Sequence, residues 1–418
     1  MSKSSAQRIG TWVVSALALT AVGGVAGFGV AAHEQLSALE HAPAYELPAA
    51  HQPLTPATGA PIEQHLLADA LTHAAQNPNL GQFHAHITDA TTGNVVFEQM
   101  ADVPLRPAST TKVLTAAAAL YELGPNDTLT TTIYRDGDAV YIKATGDVWM
   151  GQEGVDEVAS ISSGARAVYV DTSQWAGLPE MMPGWDELDI DGGYVAPLQP
   201  LMLNGGRGLE HETGDVPRSH TPALDVAQAV ADRVGATEVG VAPVPEGAEE
   251  VGAVESPTLV ERMEMMMKRS DNVYAEAIAR ELKEHTGKDP LTVLAERGFT
   301  TAGCVIEDGS GLSTLNLITP RLLDEILADA AMNTPLRPLL ATLPVAAGEG
   351  TLIDRYGDLD GRGWVRAKTG TLDDTSGLAG TVTSVNGNVY TFAFLSNGSN
   401  ILDARRAMDE MASILREY

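Results

Sequence analysis

Arg106-Pro107-Ala108-Ser109-Thr110-Thr111-Lys112 runs straight into Val113-Leu114-Thr115-Ala116-Ala117-Ala118-Ala119-Leu120, and the 418-residue chain is organised around this stretch. Pro107 sets the chain direction, Ser109 and Thr110 carry side chains that cap helices, and the alanine-rich run is a strong helix former. Ser109 is therefore expected at a helix N-terminus. Lys112 follows three residues later, which on a helix puts its amine over the same face and within reach of the hydroxyl. A serine so placed gains an adjacent base, and the helix dipole favours negative charge developing near it. A chain of this length shows about one Ser-x-x-Lys by chance, so a capped helix with a surface lysine accounts for the spacing until partners are found.

Composition bounds the rest. With 44% hydrophobic residues the chain can bury a large core, and its length suggests two or three domains. A formal net charge of −29 argues against a nucleic-acid partner, since phosphate binding needs a basic face. An acidic solvated surface explains that charge more simply than recognition of a cationic substrate. The single cysteine, Cys304, excludes an internal disulfide framework. After Lys3 and Arg8, Thr11 to Ala32 is an uncharged run of 22 residues, long enough to span a bilayer. Val30-Ala31-Ala32 also resembles a signal-peptidase site, so a membrane anchor and a cleaved signal are both open. Either way the body of the protein is expected outside the cytoplasm.

Residues 33–61 carry five prolines and are expected to be an extended linker. A first helix is expected over Ile62 to Ala75, then a hairpin, Phe83 to Asp89 and Asn94 to Glu98, around Thr91-Thr92-Gly93. His84 and His86 share a strand face; without a third ligand they are expected to be surface residues rather than a metal pair. Short strands separated by Asp, Gly and Ser mark residues 129–218 as a smaller β-rich inserted domain, leaving 62–128 and 219–418 for the main one. Ala223 to Val234 has helical periodicity, and Ala242 to Glu250 is expected to be a linker. Leu259, Val260, Met263, Met266 and Met267 give a helix a buried face; Ser270-Asp271-Asn272 interrupts it before a second helix. Near the C-terminus, strands Trp364 to Leu372, Leu378 to Val385 and Val389 to Leu395 precede a helix over Leu402 to Arg416, and Asn386-Gly387 marks a hairpin. The fold class is thus α+β, an antiparallel sheet covered on one face by the terminal helices.

Three features now stand in order: Ser109/Lys112 on a helix start, Ser270/Asn272 between helices, and Lys368-Thr369-Gly370-Thr371 on a strand. Their joint chance occurrence in that context is about one in a hundred or less, which displaces the capped-helix explanation. Acyl transfer needs these types. Ser109 supplies a nucleophile, and burial of Lys112 beside a second cation, Lys368, would lower its pKa so that it takes the proton. Backbone N–H groups of Ser109 and Thr371 would form an oxyanion hole. Ser270 can relay a proton to a leaving nitrogen, and Asn272 can hold a substrate amide. Lys368, Thr369 and Thr371 can bind a terminal carboxylate, while Gly370 lets the substrate backbone lie close. No metal or cofactor is expected.

With these residues placed, the chain resembles the D-alanyl-D-alanine carboxypeptidase/endopeptidase family of low-molecular-mass penicillin-binding proteins, the branch with a large insertion after Ser-x-x-Lys. Tyr121-Glu122-Leu123-Gly124-Pro125, Asp308-Gly309-Ser310-Gly311-Leu312-Ser313, Leu343-Pro344-Val345-Ala346 and Gly350-Thr351-Leu352 match family stretches as well. The resemblance implies a transpeptidase/β-lactamase-like catalytic fold, peptidoglycan peptides as substrate and β-lactams as inhibitors. The interval between Ser109 and Ser270 is shorter than in members with two nested insertions, so the innermost is expected to be missing. Gly146-Asp147 is similar to a family element whose aspartate helps bind the free amine of the peptide's diamino acid, although Val148 replaces its proline. Thr314 stands where the family usually has arginine. A β-lactamase, which must deacylate quickly, and a non-catalytic cell-wall-binding protein remain as alternative readings. No clear Glu-x-x-x-Asn deacylation element lies between Ser109 and Ser270.

Overall fold

The computed structural model describes residues Gln64–Tyr418. The expected anchor or signal and the linker lie outside these residues, and among the described residues no helix is long and apolar enough to cross a membrane. The chain opens with α1 (Gln64–Ala74), the hairpin β1 (Gln82–Asp89) and β2 (Asn94–Gln99), a 3-10 turn over Ala108–Thr111, and α2 (Lys112–Glu122). There follow β3 (Thr130–Asp136), β4 (Ala139–Ala144), β5 (Asp147–Met150), α3 (Gln152–Ile161), β6 (Ala167–Asp171), the single turn α4 (Leu188–Asp191) and β7 (Leu201–Leu203). Next come α5 (Pro222–Val234), β8 (Glu238–Val241), β9 (Glu249–Glu255), α6 (Leu259–Arg269), α7 (Asn272–Thr286), α8 (Pro290–Glu296), α9 (Pro320–Met332) and α10 (Arg337–Thr342). The chain closes with β10 (Arg366–Leu372), β11 (Thr375–Thr383), β12 (Val389–Asn397) and α11 (Ile401–Glu417).

The main sheet is antiparallel, in the order β10-β11-β12-β1-β2, so its central strands join the two ends of the described chain. One face packs on the terminal helices: Leu67 and Leu71 of α1 and Met408, Met411 and Leu415 of α11 meet Phe83, Ile87, Leu378, Phe392 and Phe394. The opposite face is covered too. Leu322, Leu323, Ile326 and Leu327 of α9 lie in one core with Ala379, Ala393 and Leu395, and that core extends through α2, α6, α7 and α10. Lys368 and Gly370 belong to an edge strand that this helical layer overlooks.

A second, mixed sheet, β8-β6-β4-β3-β9, has its own core of Ile133, Val140, Ile142, Val168 and Val170 against Val155 and Val158 of α3 and Val226 and Val230 of α5. The expected end of the insertion at residue 218 falls inside this unit. The sheet is completed by Glu249–Glu255, which pairs antiparallel with β3, so part of the expected linker is an edge strand. The periodicity of Ala223 to Val234 announced a helix without saying which sheet it covers. His84 and His86 also differ from expectation, since both are buried. His84 Nδ1 lies 2.7 Å from Val103 O; His86 Nδ1 lies 2.6 Å from Asp324 Oδ2 and accepts at Nε2 from Arg321 Nη1 at 2.9 Å. The strand alternation expected to turn them outward is overridden by α9, which covers that face.

Candidate active site

The sharp turn into α2 presents the nucleophile candidate. Ala108 stands at φ 49°, a left-handed conformation that costs a non-glycine residue of order 1–3 kcal/mol unless its surroundings enforce it. They do: a Cβ on Gly311 would lie 1.9 Å from Ala108 O, and one on Gly370 would lie 2.6 Å from Pro107 O and 3.3 Å from Ser109 N. Two glycines thus let a loop and the edge strand clamp the turn. Thr110 does not cap α2 as expected: its hydroxyl donates back to Pro107 O at 2.7 Å, as that of Thr111 does to Ala108 O at 2.9 Å. Ser109 is left with its hydroxyl aimed at Lys112.

Ser270 stops α6 in the left-handed region, at φ 59° and ψ 33°. Asp271 then caps α7, accepting from Tyr274 N at 3.0 Å. The two helices therefore meet at a fixed corner, with Ser270 and Asn272 on either side of a buried carboxylate. Asp271 also accepts from Arg207 Nη2 at 2.5 Å and Arg218 Nη2 at 2.9 Å. Burial alone would raise its pKa, but Arg218 and Arg207 hold it well below the usual carboxylate range.

The corner, the turn and the edge strand converge. Lys112 Nζ lies 2.9 Å from Ser109 Oγ, 2.8 Å from Asn272 Oδ1 and 2.8 Å from Ser310 O. Lys368 Nζ donates to Ser270 Oγ at 2.9 Å and Thr369 O at 2.8 Å. Both lysines are fully buried. Burial lowers Lys112 to about 7, against the pull of the Asp308 and Asp271 carboxylates. Lys368 is lowered well below its ordinary value, by burial first and then by the charge of Lys112. An uncharged Lys112 has two N–H bonds and one lone pair. Asn272 Oδ1 and Ser310 O can only accept, so they take both N–H groups and leave the lone pair to accept from the Ser109 hydroxyl.

Ser109, Lys112, Ser270, Asn272 and Lys368 are thus brought together, with Thr369, Gly370 and Thr371 along the adjoining edge. Thr369 Oγ1 lies 2.7 Å from Thr351 Oγ1, and Thr371 Oγ1 accepts from Arg405 Nη2 at 2.5 Å. Asp147 is not part of the group. It is buried in the insertion, accepts from Trp149 N at 3.0 Å, and faces a cavity shared with Trp149, Lys268, Asp271 and Tyr274. Burial pushes it up to about 6, against that N–H and the nearby Arg262. The acidic loop that does reach the group is residues 186–194: Asn272 Nδ2 donates to Tyr194 O at 3.1 Å, and burial plus the charges of Asp186 and Asp373 raise Asp189.

Ser310 is the main contributor missed in the sequence. Its carbonyl is aimed by Asp308, which accepts from Ser310 Oγ at 2.6 Å, Gly311 N at 2.8 Å, Asn316 Nδ2 at 2.6 Å and Trp185 Nε1 at 2.7 Å. Asp308-Gly309-Ser310-Gly311 is legible in the sequence as a family stretch, but a backbone carbonyl leaves no mark in side-chain identities.

Fold and cluster define the class: a low-molecular-mass penicillin-binding protein with a transpeptidase-like sheet and an insertion. The family model described as D-Ala-D-Ala carboxypeptidase 3 (S13) matches residues 67–217 and 210–418, and the chain belongs to that family. It is 42% identical over 387 residues to carboxypeptidase DacB of Mycolicibacterium smegmatis, covering 84% of each chain. It is 38% identical over 383 residues to carboxypeptidase Rv3627c of Mycobacterium tuberculosis, covering 83% of this chain and 82% of that one. In fold it is similar to penicillin binding protein 4 (dacB) of Haemophilus influenzae, with a TM-score of 0.70 at 18% identity over 84% of this chain and 99% of that chain. That protein has also been solved complexed with a novel β-lactam, at a TM-score of 0.64, with the same identity and coverage.

Proposed function

We propose that the chain is an exported serine-type D-Ala-D-Ala carboxypeptidase that acts on peptidoglycan stem peptides through an acyl-enzyme at Ser109. The observation that carries this reading is the hydrogen-bond set of Lys112, which leaves its lone pair for the Ser109 proton. Ser109 Oγ attacks the carbonyl of the penultimate D-alanine while Lys112 takes the hydroxyl proton. The oxyanion forms against the N–H groups of Ser109 and Thr371, beside the edge strand. Ser270, held by Lys368, passes a proton to the leaving nitrogen; the C–N bond breaks and D-alanine departs as its amine. Water then attacks the ester carbonyl, the C–Oγ bond breaks, and the shortened peptide leaves as a carboxylic acid with Ser109 restored. Asn272 holds the substrate amide, and Asp186, Asp189 and Asp373 form an acidic rim suited to a cationic peptide side chain.

Export rests on the uncharged run Thr11 to Ala32, retained as an anchor or removed as a signal. A β-lactam would acylate the same oxygen, so a fluorescent penicillin is expected to label the wild type covalently and Ser109→Ala not at all. An unlabelled wild type would refute the proposal. With a defined muropeptide, mass spectrometry is expected to show loss of one alanine. Cleavage of a cross-linked dimer would identify DD-endopeptidase activity, which uses the same acyl-enzyme with a different leaving amine.

A further inference from the structure

Among the described residues, Arg106, Arg355 and Arg406 are each paired with a carboxylate. Arg106 Nη2 meets Asp374 Oδ1 at 2.7 Å; Arg355 Nη2 meets Asp409 Oδ1 at 2.6 Å; Arg406 meets Asp358 and Glu410, both at 2.7 Å. Arg405, in the first turns of α11, makes no ion pair among the described residues. Its Nη2 donates to Thr371 Oγ1 at 2.5 Å, and its Nε is buried with no hydrogen-bond partner. Asp409 acts on Arg405 only through its charge and is itself bonded to Arg355, so in a chain with 55 acidic and 26 basic residues this partly buried guanidinium lacks a direct carboxylate partner. Charged groups are rarely buried unless paired, because desolvation is costly.

The contact also fixes what Thr371 can do. A hydroxyl that accepts from a guanidinium has its one proton free to donate elsewhere, and Thr371 is exposed at the edge of the sheet. An anion there would meet an O–H donor, the Thr351–Thr369 hydroxyl pair two residues back along β10, and a positive charge directly behind. A neutral group would gain the hydroxyl but not the charge. Arg106 cannot fill this role, because Asp374 already occupies it.

We propose that Arg405 is a positioning residue for the substrate's terminal carboxylate: it orients the Thr371 hydroxyl as a donor and supplies the charge that makes the site select a free carboxylate. The inference rests on the carboxypeptidase reading and extends it to the substrate's C-terminus. The test compares two peptides that differ only in ending as D-alanine or D-alaninamide, hydrolysed by the wild type, Arg405→Ala, Arg405→Gln and Arg405→Lys. For the free acid, Arg405→Ala and Arg405→Gln are expected to lower kcat/KM by about 10- to 100-fold, the range for a lost hydrogen bond to a charged group. For the amide the loss is expected to stay under about threefold, and Arg405→Lys is expected to recover part of the discrimination. Arg405→Gln keeps most of the side-chain volume, so it covers the case in which the alanine variant folds poorly. Equal losses on both peptides, or an undiminished rate on the acid, would overturn the proposal. A folded wild type that releases neither D-alanine from the acid nor D-alaninamide from the amide would instead refute the carboxypeptidase reading.

Discussion

Two buried cationic centres are held by adjacent residues, Asp271 and Asn272, and behave in opposite ways. Arg207 and Arg218 close on Asp271, while Lys112, bonded to Asn272, has only neutral oxygens as hydrogen-bond partners. A carboxylate partner fixes charge: Asp271 stays ionised between two guanidinium groups, and that centre holds α6 and α7 at their corner. Neutral partners fix geometry without fixing charge, so burial brings the Lys112 amine down to about 7, where it can exchange a proton at physiological pH. The structural ion cluster thus serves as a rigid mount for a titratable amine.

Breaking the titratable side should have the largest effect. Lys112→Met removes the proton acceptor while keeping an unbranched buried side chain, and acylation by penicillin is expected to slow by about 10²- to 10⁴-fold, the range for a lost general base. Stopped-flow labelling measures it, and a change under tenfold would assign the base elsewhere. Breaking the structural side should show in stability first. Asp271→Asn leaves two buried guanidinium groups without their carboxylate, and a cost of about 3–5 kcal/mol is expected in denaturant unfolding. A melting temperature within a degree of the wild type would contradict the account of that cluster.

The comparison is sharpened by pH. Lys112 is lowered from 10.5 to about 7, so between those values the unfolded chain binds a proton that the folded chain does not. Its contribution to stability therefore rises with pH across about 7 to 10.5, and the penalty is complete below 7. Lys112→Met should flatten that slope in unfolding measurements made at several pH values. The smallest effect is expected far from both centres: Thr258 and Glu261 form a capping box at the start of α6, and Thr258→Ala should cost about 1 kcal/mol without changing the acylation rate. A slower acylation rate would mean that the whole of α6, not its last turn, sets the position of Ser270.

What the sequence discloses follows the same division. Ser109, Lys112, Ser270, Asn272 and Lys368 are legible because acyl transfer needs particular side chains at short spacings, and their elements carry strong signals: an alanine run, a methionine-faced helix, a hairpin at Asn386-Gly387. The mounts are not legible. Ser310 acts through a carbonyl, Arg207 and Arg218 reach Asp271 across 53 or more positions, and His84 and His86 are covered by a helix more than 230 residues downstream. The end of the insertion was misplaced for a related reason: Glu249–Glu255 pairs with Thr130–Arg135 across more than a hundred residues, and local composition there reads as a linker. Asp147 resembled a substrate ligand by its Gly-Asp context, but its place is set by strand β5 inside the insertion.

The most direct test of the whole account is the second-order rate of penicillin acylation of Ser109 followed from pH 5 to pH 10. The rate should climb about tenfold per pH unit at the acid end, bend near pH 7 and then level, with the bend absent in Lys112→Met. A wild-type rate that is flat across pH 7, or that keeps climbing toward the ordinary lysine value of 10.5, would contradict a neutral Lys112 as the base.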